Sequence, residues 1–288
     1  MKQTQKISIV IPCYNEERYI AKCLQAIMAQ TVKPFEVLVV DNNCRDKTVE
    51  IASNFPSVKV VHEPRQGLFF SRERGMNAAK GDILCRIDAD TILDMHWVEN
   101  VLKIFGDTRV QAATGPMGYH DFIFPEVSRA IEHCFLLGAR ALGYKFVFGC
   151  NMAIRRAAWQ SIMDELCDDT NIFEDIDIAM HLRQHGLQIM YDRRLAAMVS
   201  IRRAEDNPID FCRYIGGHSY TADKHNTPLP PARYAEASFL LGYGISKPLL
   251  MCYDTHERRF TRRKLLGQVI SARRDNPMSP AATPDKPE

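Results

Sequence analysis

Residues 7–28 read ISIVIPCYNEERYIAKCLQAIM and contain the two periodicities on which the fold depends. The first five residues form a continuous apolar run of strand length, typical of a strand buried on both faces. Apolar residues then recur at helical spacing, at Ile20, Cys23, Leu24, Ile27 and Met28. Asn15 is available as the N-cap, and acidic residues follow it, as the first turn of a helix favours. This stretch therefore predicts a strand followed by a helix.

The same pattern returns three times along the first half of the chain. FEVLVV (35–40) precedes a helix starting near Asp46, VKVVHE (58–63) precedes one at 68–79, and DILCRI (82–87) precedes a helix that carries Trp97 and Phe105. Four such units in series predict a parallel sheet covered by helices on both faces, because right-handed crossovers place the helices there. The predicted class is α/β, with a Rossmann-like, doubly wound, mostly parallel sheet.

Polar residues follow each predicted strand. They are Pro12 to Glu16 after the first strand, Asp41 to Asn43 after the second, Glu63 after the third, and Asp88 and Asp90 after the fourth. Any one of them has a simpler explanation, since strand ends are polar and Asp or Asn often caps the next helix. Ligands bind beyond the carboxyl ends of strands in such sheets. Together these residues predict a binding site at that edge.

Asp88 and Asp90 lie in CRIDADTIL (85–93), with one alanine between them. Two neighbouring carboxylates repel each other unless a cation lies between them, and hard oxygen ligands prefer Mg²⁺ or Mn²⁺. Such ions readily take phosphate oxygens as further ligands. A D-x-D triplet also occurs by chance, so a metal-diphosphate site here depends on its context.

Composition excludes several classes of protein. A formal net charge of +2 over 288 residues argues against a charge-driven partner of nucleic acid. The chain has 9 cysteines and no C-x-x-C pair, which fits neither a disulfide framework nor a zinc ribbon. The short apolar run near the N-terminus soon meets acidic residues and does not resemble a signal peptide. We therefore expect a cytoplasmic protein.

The second half predicts further elements with less regularity. Residues 125–142 indicate an amphipathic helix, 146–159 a strand that runs into a helix, and 174–192 a helix closed by Gly186 and followed by a strand. Acids at the start of the helix at 174 also suit its dipole, and Asp177 would then be one more solvated charge.

Six segments, taken in order, resemble the family 2 glycosyltransferases of the GT-A fold. They are SIVIPCYNEERYI (8–20), EVLVVDNNCRDKT (36–48), GLFFSRERGMNAAKGDILCRIDADT (67–91), GCNMAIRR (149–156), FEDIDIAMHLRQHG (173–186) and SIRR (200–203). The resemblance implies an inverting, metal-dependent hexosyltransferase. Such an enzyme moves a sugar from a nucleoside diphosphate sugar to the hydroxyl of a sugar or lipid-linked acceptor, in cell-envelope polysaccharide or glycolipid synthesis.

The resemblance also implies how the donor is bound. Pro12, Tyr14 and Glu16 match the loop that holds the base and ribose. Asp41 matches the acid that accepts a hydrogen bond from the uracil ring nitrogen, which favours UDP over GDP. Arg72 matches an arginine that helps fix the base, although Glu73 replaces the usual asparagine beside it.

Metal and catalytic roles follow from the same resemblance. Asp90 binds Mn²⁺ or Mg²⁺ directly, and Asp88 reaches the metal or the ribose. Asp175 is the catalytic base and Glu174 orients the acceptor. Arg202 and Arg203 either reach the diphosphate or are surface cations. His218 is either a third metal ligand or a structural histidine.

The predicted domains are a GT-A domain at 1–205, a helical extension at 206–275 and a disordered tail at 276–288. Within the extension, ASFLLGYGISKPLLMCY (237–253) is apolar, contains Lys247 and Pro248, and is followed by the basic segment HERRFTRRK (256–264). Three alternatives stay open for this stretch. It lies on the inner face of the membrane, packs on protein (the catalytic domain or a second copy in a homodimer), or spans the bilayer, for which it is short.

Two other functions compete with glycosyl transfer. A sugar-phosphate nucleotidyltransferase needs a glycine-rich phosphate loop after the first strand, and PCYNEE occupies that position here. A non-catalytic module that only binds nucleotide sugars would not need both acidic motifs, and both are intact.

Overall fold

A computed structural model describes residues 5–143, 146–169, 171–255 and 257–261. The predicted disordered tail at 276–288 lies outside the described residues, as do residues 256 and 262–264 of the basic segment.

A seven-stranded sheet forms the centre of the molecule. The strands of the chain are β1 (Ile7–Cys13), β2 (Glu36–Asp41), β3 (Val58–His62), β4 (Ile83–Arg86), β5 (Ile92–Leu93), β6 (Val110–Thr114), β7 (Met117–Tyr119), β8 (Met152–Arg155), β9 (Gln188–Tyr191), β10 (Ala197–Val199), β11 (Tyr253–Asp254) and β12 (Arg259–Phe260). The order in the large sheet is β3-β2-β1-β4-β8-β6-β9. Strands β1 to β4 pair in parallel, β8 runs antiparallel to both of its neighbours, and β9 is parallel to β6. The predicted mostly parallel α/β sheet is confirmed.

Helices follow the strands at the predicted places. They are α1 (Ile20–Met28), α2 (Thr48–Ser53), α3 (Leu68–Ala78), α4 (Trp97–Ile104), α5 (Pro125–Ala141), α6 (Arg156–Ile162), α7 (Glu174–Gln184), α8 (Pro208–Ile215), α9 (Gly217–Lys224) and α10 (Leu229–Leu250). As expected, α7 ends just before Gly186, whose φ of 69° lies in the left-handed region that glycine tolerates.

The predicted N-cap of the first helix was wrong. Asn15 has a φ of 53° and lies in the loop between β1 and α1, while Tyr19 is the residue that precedes the helix. The side-chain oxygen of Asn15 accepts a hydrogen bond from the backbone N–H of Arg45, 2.8 Å away. A contact with the next strand-helix connection therefore holds this residue, and the loop stays open at the edge of the sheet.

Alternating residues of β1 divide the core between the two faces of the sheet, because successive side chains of a strand point in opposite directions. Ile9 and Ile11 pack with α1 and α4, whereas Val10 packs with α3, α6 and α7. Helix α3 approaches β1 closely at Gly75, where an added Cβ would lie 2.3 Å from Cγ1 of Val10. Helices packed on both faces thus bury β1, whose end carries residues of the predicted site.

Helices α8 to α10 pack on the α/β part of the chain. Ala232 of α10 is buried in a cluster with Leu136 of α5 and Met180 of α7. Five apolar residues near the end of α10 stay more than a third exposed, namely Leu240, Leu241, Ile245, Leu249 and Met251. Among the described helices, none is both long enough and apolar enough to cross a bilayer.

Candidate active site

A cleft opens where β1, β2 and β4 end. Its lining includes Pro12 near the end of β1, Tyr14 and Glu16 from the loop after it, Asn42 after β2, and Asp88 after β4. The structure thus brings together four of the residues predicted to bind the donor. The described lining of the cleft does not include Asp41 or Arg72.

Asn42 shapes one wall of this cleft, and sequence reasoning assigned it no role. Its Nδ2 donates to the backbone oxygens of Glu63 (3.0 Å) and Arg65 (2.7 Å), and its Oδ1 accepts from the N–H of Gly67 at 2.8 Å. This buried amide ties the end of β2 to the loop that leads into α3. The position of α3 beside the cleft therefore depends on it.

Asp41 lies at the end of β2 with both carboxylate oxygens hydrogen-bonded. Oδ1 accepts from the N–H of Cys44 at 2.8 Å, and Oδ2 lies 3.0 Å from Nδ1 of His62. Partial burial by itself raises the pKa of Asp41, but the hydrogen bonds from Cys44 and His62 outweigh it and hold the pKa below the usual value. The side chain is thus ionised near neutral pH and acts only as an acceptor.

Arg202 joins two acids at the edge of the cleft. Its Nη1 lies 2.7 Å from Oε2 of Glu16, and its Nη2 lies 2.8 Å from Oε1 of Glu16 and 3.0 Å from Oδ2 of Asp90. All three side chains are buried. Burial by itself lowers the pKa of Arg202, but the charges of Asp90 and Glu16 raise it above its usual value. The guanidinium is therefore a permanent cation between two carboxylates.

Arg86 links the two acidic motifs, and sequence reasoning missed it. Its Nη2 lies 3.0 Å from Oδ1 of Asp88, and its Nη1 lies 2.5 Å from Oε1 of Glu174. Arg72 contacts the other oxygen of Glu174 at 3.1 Å. Both arginines are buried, whereas the side chain of Asp88 is 38% exposed. An arginine near the end of an apolar strand was the signal in the sequence, because a buried cation requires a nearby anion.

These ion pairs define the surroundings of Glu174 and Arg72, which the sequence did not predict. Glu174 is held between two buried guanidinium groups, and Arg72 packs over the rings of Phe69 and Trp159. The roles predicted for them, in orienting the acceptor and fixing the base, stay predictions.

Asp175 is the second residue of α7 and follows Glu174. Its Oδ2 accepts from the N–H of Gly149 at 3.1 Å and its Oδ1 from the N–H of Ile176 at 2.9 Å. Burial raises the pKa of Asp175 to about 6, against the lowering effect of the Gly149 hydrogen bond and of Arg86. A carboxylate with a pKa near neutrality suits a general base, because it both ionises and accepts a proton at working pH.

Two further candidates pack against aromatic rings. The guanidinium of Arg203 lies over the ring of Tyr214, 3.8 Å from its centroid. His218 packs between Phe173 and Phe239, and burial lowers its pKa to about 4. This packing is what a structural histidine requires.

The residues at the end of β4 fit a divalent cation. Asp88 and Asp90 offer hard oxygen ligands, and each contacts a guanidinium, with which a bound cation would share the carboxylate or which it would displace. The described residues contain one group of three or more close metal-ligating side chains, and it lies elsewhere, around Asp177. A cation held by only two acids would leave positions for water or phosphate oxygens, as Mg²⁺ and Mn²⁺ do in proteins.

Residues 8–163 match the model of glycosyl transferase family 2. The chain belongs to this family. Glycosyltransferase AglE of Haloferax volcanii is 33% identical to it over 133 residues, which cover 44% of this chain and 43% of AglE. The chain thus matches less than half the length of this relative.

Solved structures of the GT-A fold resemble most of this chain. The mannosyltransferase PcManGT from Pyrobaculum calidifontis, in complex with GDP-Man and Mn²⁺, has a TM-score of 0.61 at 18% identity, covering 89% of this chain and 74% of that one. Glucosyl-3-phosphoglycerate synthase from Mycobacterium tuberculosis, with Mn²⁺, UDP and glucosyl-3-phosphoglycerate, has a TM-score of 0.53 at 19% identity, covering 78% of this chain and 81% of that one. The family and the fold predicted from the sequence are confirmed.

Proposed function

We propose that this family 2 protein is an inverting, metal-dependent glycosyltransferase that moves a sugar from a nucleoside diphosphate to a hydroxyl acceptor. The observation that carries the proposal is the position of Arg86, which contacts Asp88 and Glu174 with the two ends of one guanidinium. The donor-binding and catalytic motifs therefore meet at one place in the fold, although they lie far apart in the chain.

The proposed donor is a UDP-sugar. Asp41 supports it, because an ionised carboxylate that only accepts hydrogen bonds is complementary to the N–H of uracil. The structurally similar enzymes contain GDP-Man in one case and UDP in the other. A GDP-sugar is thus the competing donor, and Pro12, Tyr14 and Glu16 would contact the nucleoside in either case.

We assign the cation, Mn²⁺ or Mg²⁺, to Asp90 and Asp88. When bound, it would stabilise negative charge on the departing nucleoside diphosphate as a Lewis acid. Arg202 is the residue of this chain that we place near the same charge, because a guanidinium suits phosphate oxygens. It would exchange its contact with Asp90 for the diphosphate.

Asp175 is the proposed base. Its carboxylate takes the proton of the acceptor hydroxyl while the hydroxyl oxygen attacks the anomeric carbon from the face opposite the diphosphate. The bond between that carbon and the diphosphate oxygen breaks, and its electron pair leaves with the nucleoside diphosphate. Attack from the opposite face inverts the anomeric configuration. Glu174, fixed by Arg72 and Arg86, would hold the start of α7 in place for this step.

The acceptor is proposed to be a sugar or lipid-linked hydroxyl used in cell-envelope polysaccharide or glycolipid synthesis. The exposed apolar residues near the end of α10 leave two alternatives for that helix, the inner face of a membrane or a second copy of the chain. Both stay predictions, as does the cytoplasmic location.

The test is calorimetric titration with UDP-sugars and GDP-sugars, with and without Mn²⁺, combined with an assay for released nucleoside diphosphate. We expect one nucleotide class to bind in a Mn²⁺-dependent manner and to turn over, and Asp88→Asn with Asp90→Asn to abolish the Mn²⁺ dependence. Asp164→Asn, at an exposed position, is the matched control. Binding without turnover across many acceptors would indicate a non-catalytic module. Release of pyrophosphate from a nucleoside triphosphate and a sugar phosphate would indicate a nucleotidyltransferase.

A further inference from the structure

A second group of ligand-type side chains lies around α7, and none of its members lines the cleft. It consists of Cys167, Asp177, His181 and His225, whose ligand atoms all lie within 4.8 Å of one another. Asp177 and His181 are four residues apart on α7 and share one face of the helix. Cys167 belongs to the segment before α7, and His225 directly follows α9. Three separate segments of the chain thus converge on one point.

Asp177 is at the centre of this group. The sequence left open that Asp177 is a solvated charge, but its side chain is 0% exposed, so that alternative is wrong. Its Oδ2 accepts from the backbone N–H of Cys167 at 3.0 Å. Its Oδ1 lies 2.7 Å from Nε2 of His225 and 3.4 Å from Nε2 of His181. Two imidazoles therefore face the same oxygen of one buried carboxylate.

His181 provides an independent indication that a ligand belongs here. The residue is 8% exposed, and neither of its ring nitrogens has a hydrogen-bond partner. Its Nε2 points toward Asp177, and its Nδ1 lies 3.4 Å from Oε2 of Glu165. Each nitrogen thus lies beside a carboxylate without a well-aligned hydrogen bond, which is unusual for a buried imidazole, and this arrangement suits a cation between His181 and Asp177.

We propose that Cys167, Asp177, His181 and His225 bind a structural Zn²⁺ ion. A thiolate, two imidazoles and a carboxylate are the ligand types that zinc takes, and four protein ligands make a closed, tetrahedral site. Tetrahedral ligands at zinc distances lie roughly 3.3–3.8 Å apart. The observed separations of up to 4.8 Å therefore need only small side-chain movements.

Glu165 contacts His181, a proposed zinc ligand, without being a ligand itself. A histidine that binds metal with one ring nitrogen usually interacts through the other with a carboxylate, which fixes its orientation. Glu165 is placed to do this for Nδ1 of His181, which leaves Nε2 to face the ion. The ion would join α7 to the segment before it and to the end of α9. It would thus brace the helix that begins with Glu174 and Asp175 without touching the reaction.

The experiment uses the full chain, treated with chelator and then titrated with Zn²⁺ or Co²⁺. We expect about one Zn²⁺ per chain by mass spectrometry of metals, a higher thermal midpoint with Zn²⁺, and a thiolate-to-metal absorption band with Co²⁺. Cys167→Ser should remove the band, and Cys167→Ser or His225→Asn should lower Zn²⁺ affinity at least tenfold. Cys212→Ser and His96→Gln, which change exposed residues of the same types outside the group, should keep both properties.

A further variant distinguishes the proposed zinc site from the cation site predicted at the end of β4. Asp88→Asn combined with Asp90→Asn should keep the Zn²⁺ and the Co²⁺ band, even where it abolishes Mn²⁺-dependent donor binding. The proposal is overturned if wild-type protein binds Co²⁺ without a thiolate band, or if Cys167→Ser retains Zn²⁺ with unchanged affinity. In that case Asp177 only links the histidines by hydrogen bonds. The wild-type spectrum decides the matter even if a variant does not fold.

Discussion

Donor turnover should depend on pH through the ionisation of Asp175. The pKa of this residue is raised to about 6, chiefly by burial. A base acts only when it is deprotonated, so kcat/KM should fall as the pH drops through about 6 and reach a plateau above about 7. The pH dependence of kcat/KM reports the pKa of the free enzyme, which is the form described by the structure.

The size of the effect follows from that pKa. A group with a pKa of about 6 is about 9% ionised at pH 5 and about 91% ionised at pH 7. We therefore expect kcat/KM to rise about tenfold between these two pH values. An aspartate with an ordinary pKa near 3.9 would be almost fully ionised over this whole range and would give almost no change.

The assay measures release of nucleoside diphosphate from the preferred donor at saturating Mn²⁺, from about pH 4.5 to 8.5, for wild type and Asp175→Asn. The variant should keep donor binding but lose about 10²–10⁴-fold in turnover, and its residual rate should lack the acidic limb. Asp164→Asn should behave like wild type. Near-normal turnover in Asp175→Asn, or an acidic limb that survives in it, would refute the assignment of the base.

Two further predictions concern buried arginines. Arg202→Met should lower the free energy of unfolding by about 3 kcal/mol, because it removes the cation that bridges the buried carboxylates of Glu16 and Asp90. Urea unfolding measures this, and Mn²⁺ should stabilise the variant more than wild type. Gly149→Ala should lower donor turnover about a hundredfold, because the added Cβ would lie 1.9 Å from Nη1 of Arg86 and displace it from Glu174. Steady-state kinetics measure this loss.

Each of these changes has a matched control. Arg203→Met removes a neighbouring arginine that lies over the ring of Tyr214, and it should leave the Mn²⁺ effect on stability unchanged. Gly242→Ala adds a methyl group in α10 where nothing lies within 4 Å, and it should keep full turnover. Equal Mn²⁺ stabilisation of wild type and Arg202→Met would contradict the placement of the cation. Unaltered turnover in Gly149→Ala would contradict the role given to Arg86.

Local patterns in the sequence were enough for the architecture of the first half. Apolar runs such as ISIVI and helical spacing such as that from Ile20 to Met28 report burial within a few residues, and four such units leave little choice but a parallel sheet. The position of the binding site could be predicted for the same reason, since the carboxyl ends of all parallel strands lie at one edge of the sheet. Pro12, Tyr14, Glu16 and Asp88 do line one cleft there.

Only the tertiary structure decided which residues meet at that edge of the sheet. Strand β8 enters the sheet antiparallel between β4 and β6, which places Gly149 beside Arg86. Glu16 and Arg202 are 186 residues apart in the chain, yet they form a buried ion pair. Periodicity shows which side chains avoid water but not which charged groups share a buried site. That choice depends on how distant segments cross and pack, and only the folded chain contains this information.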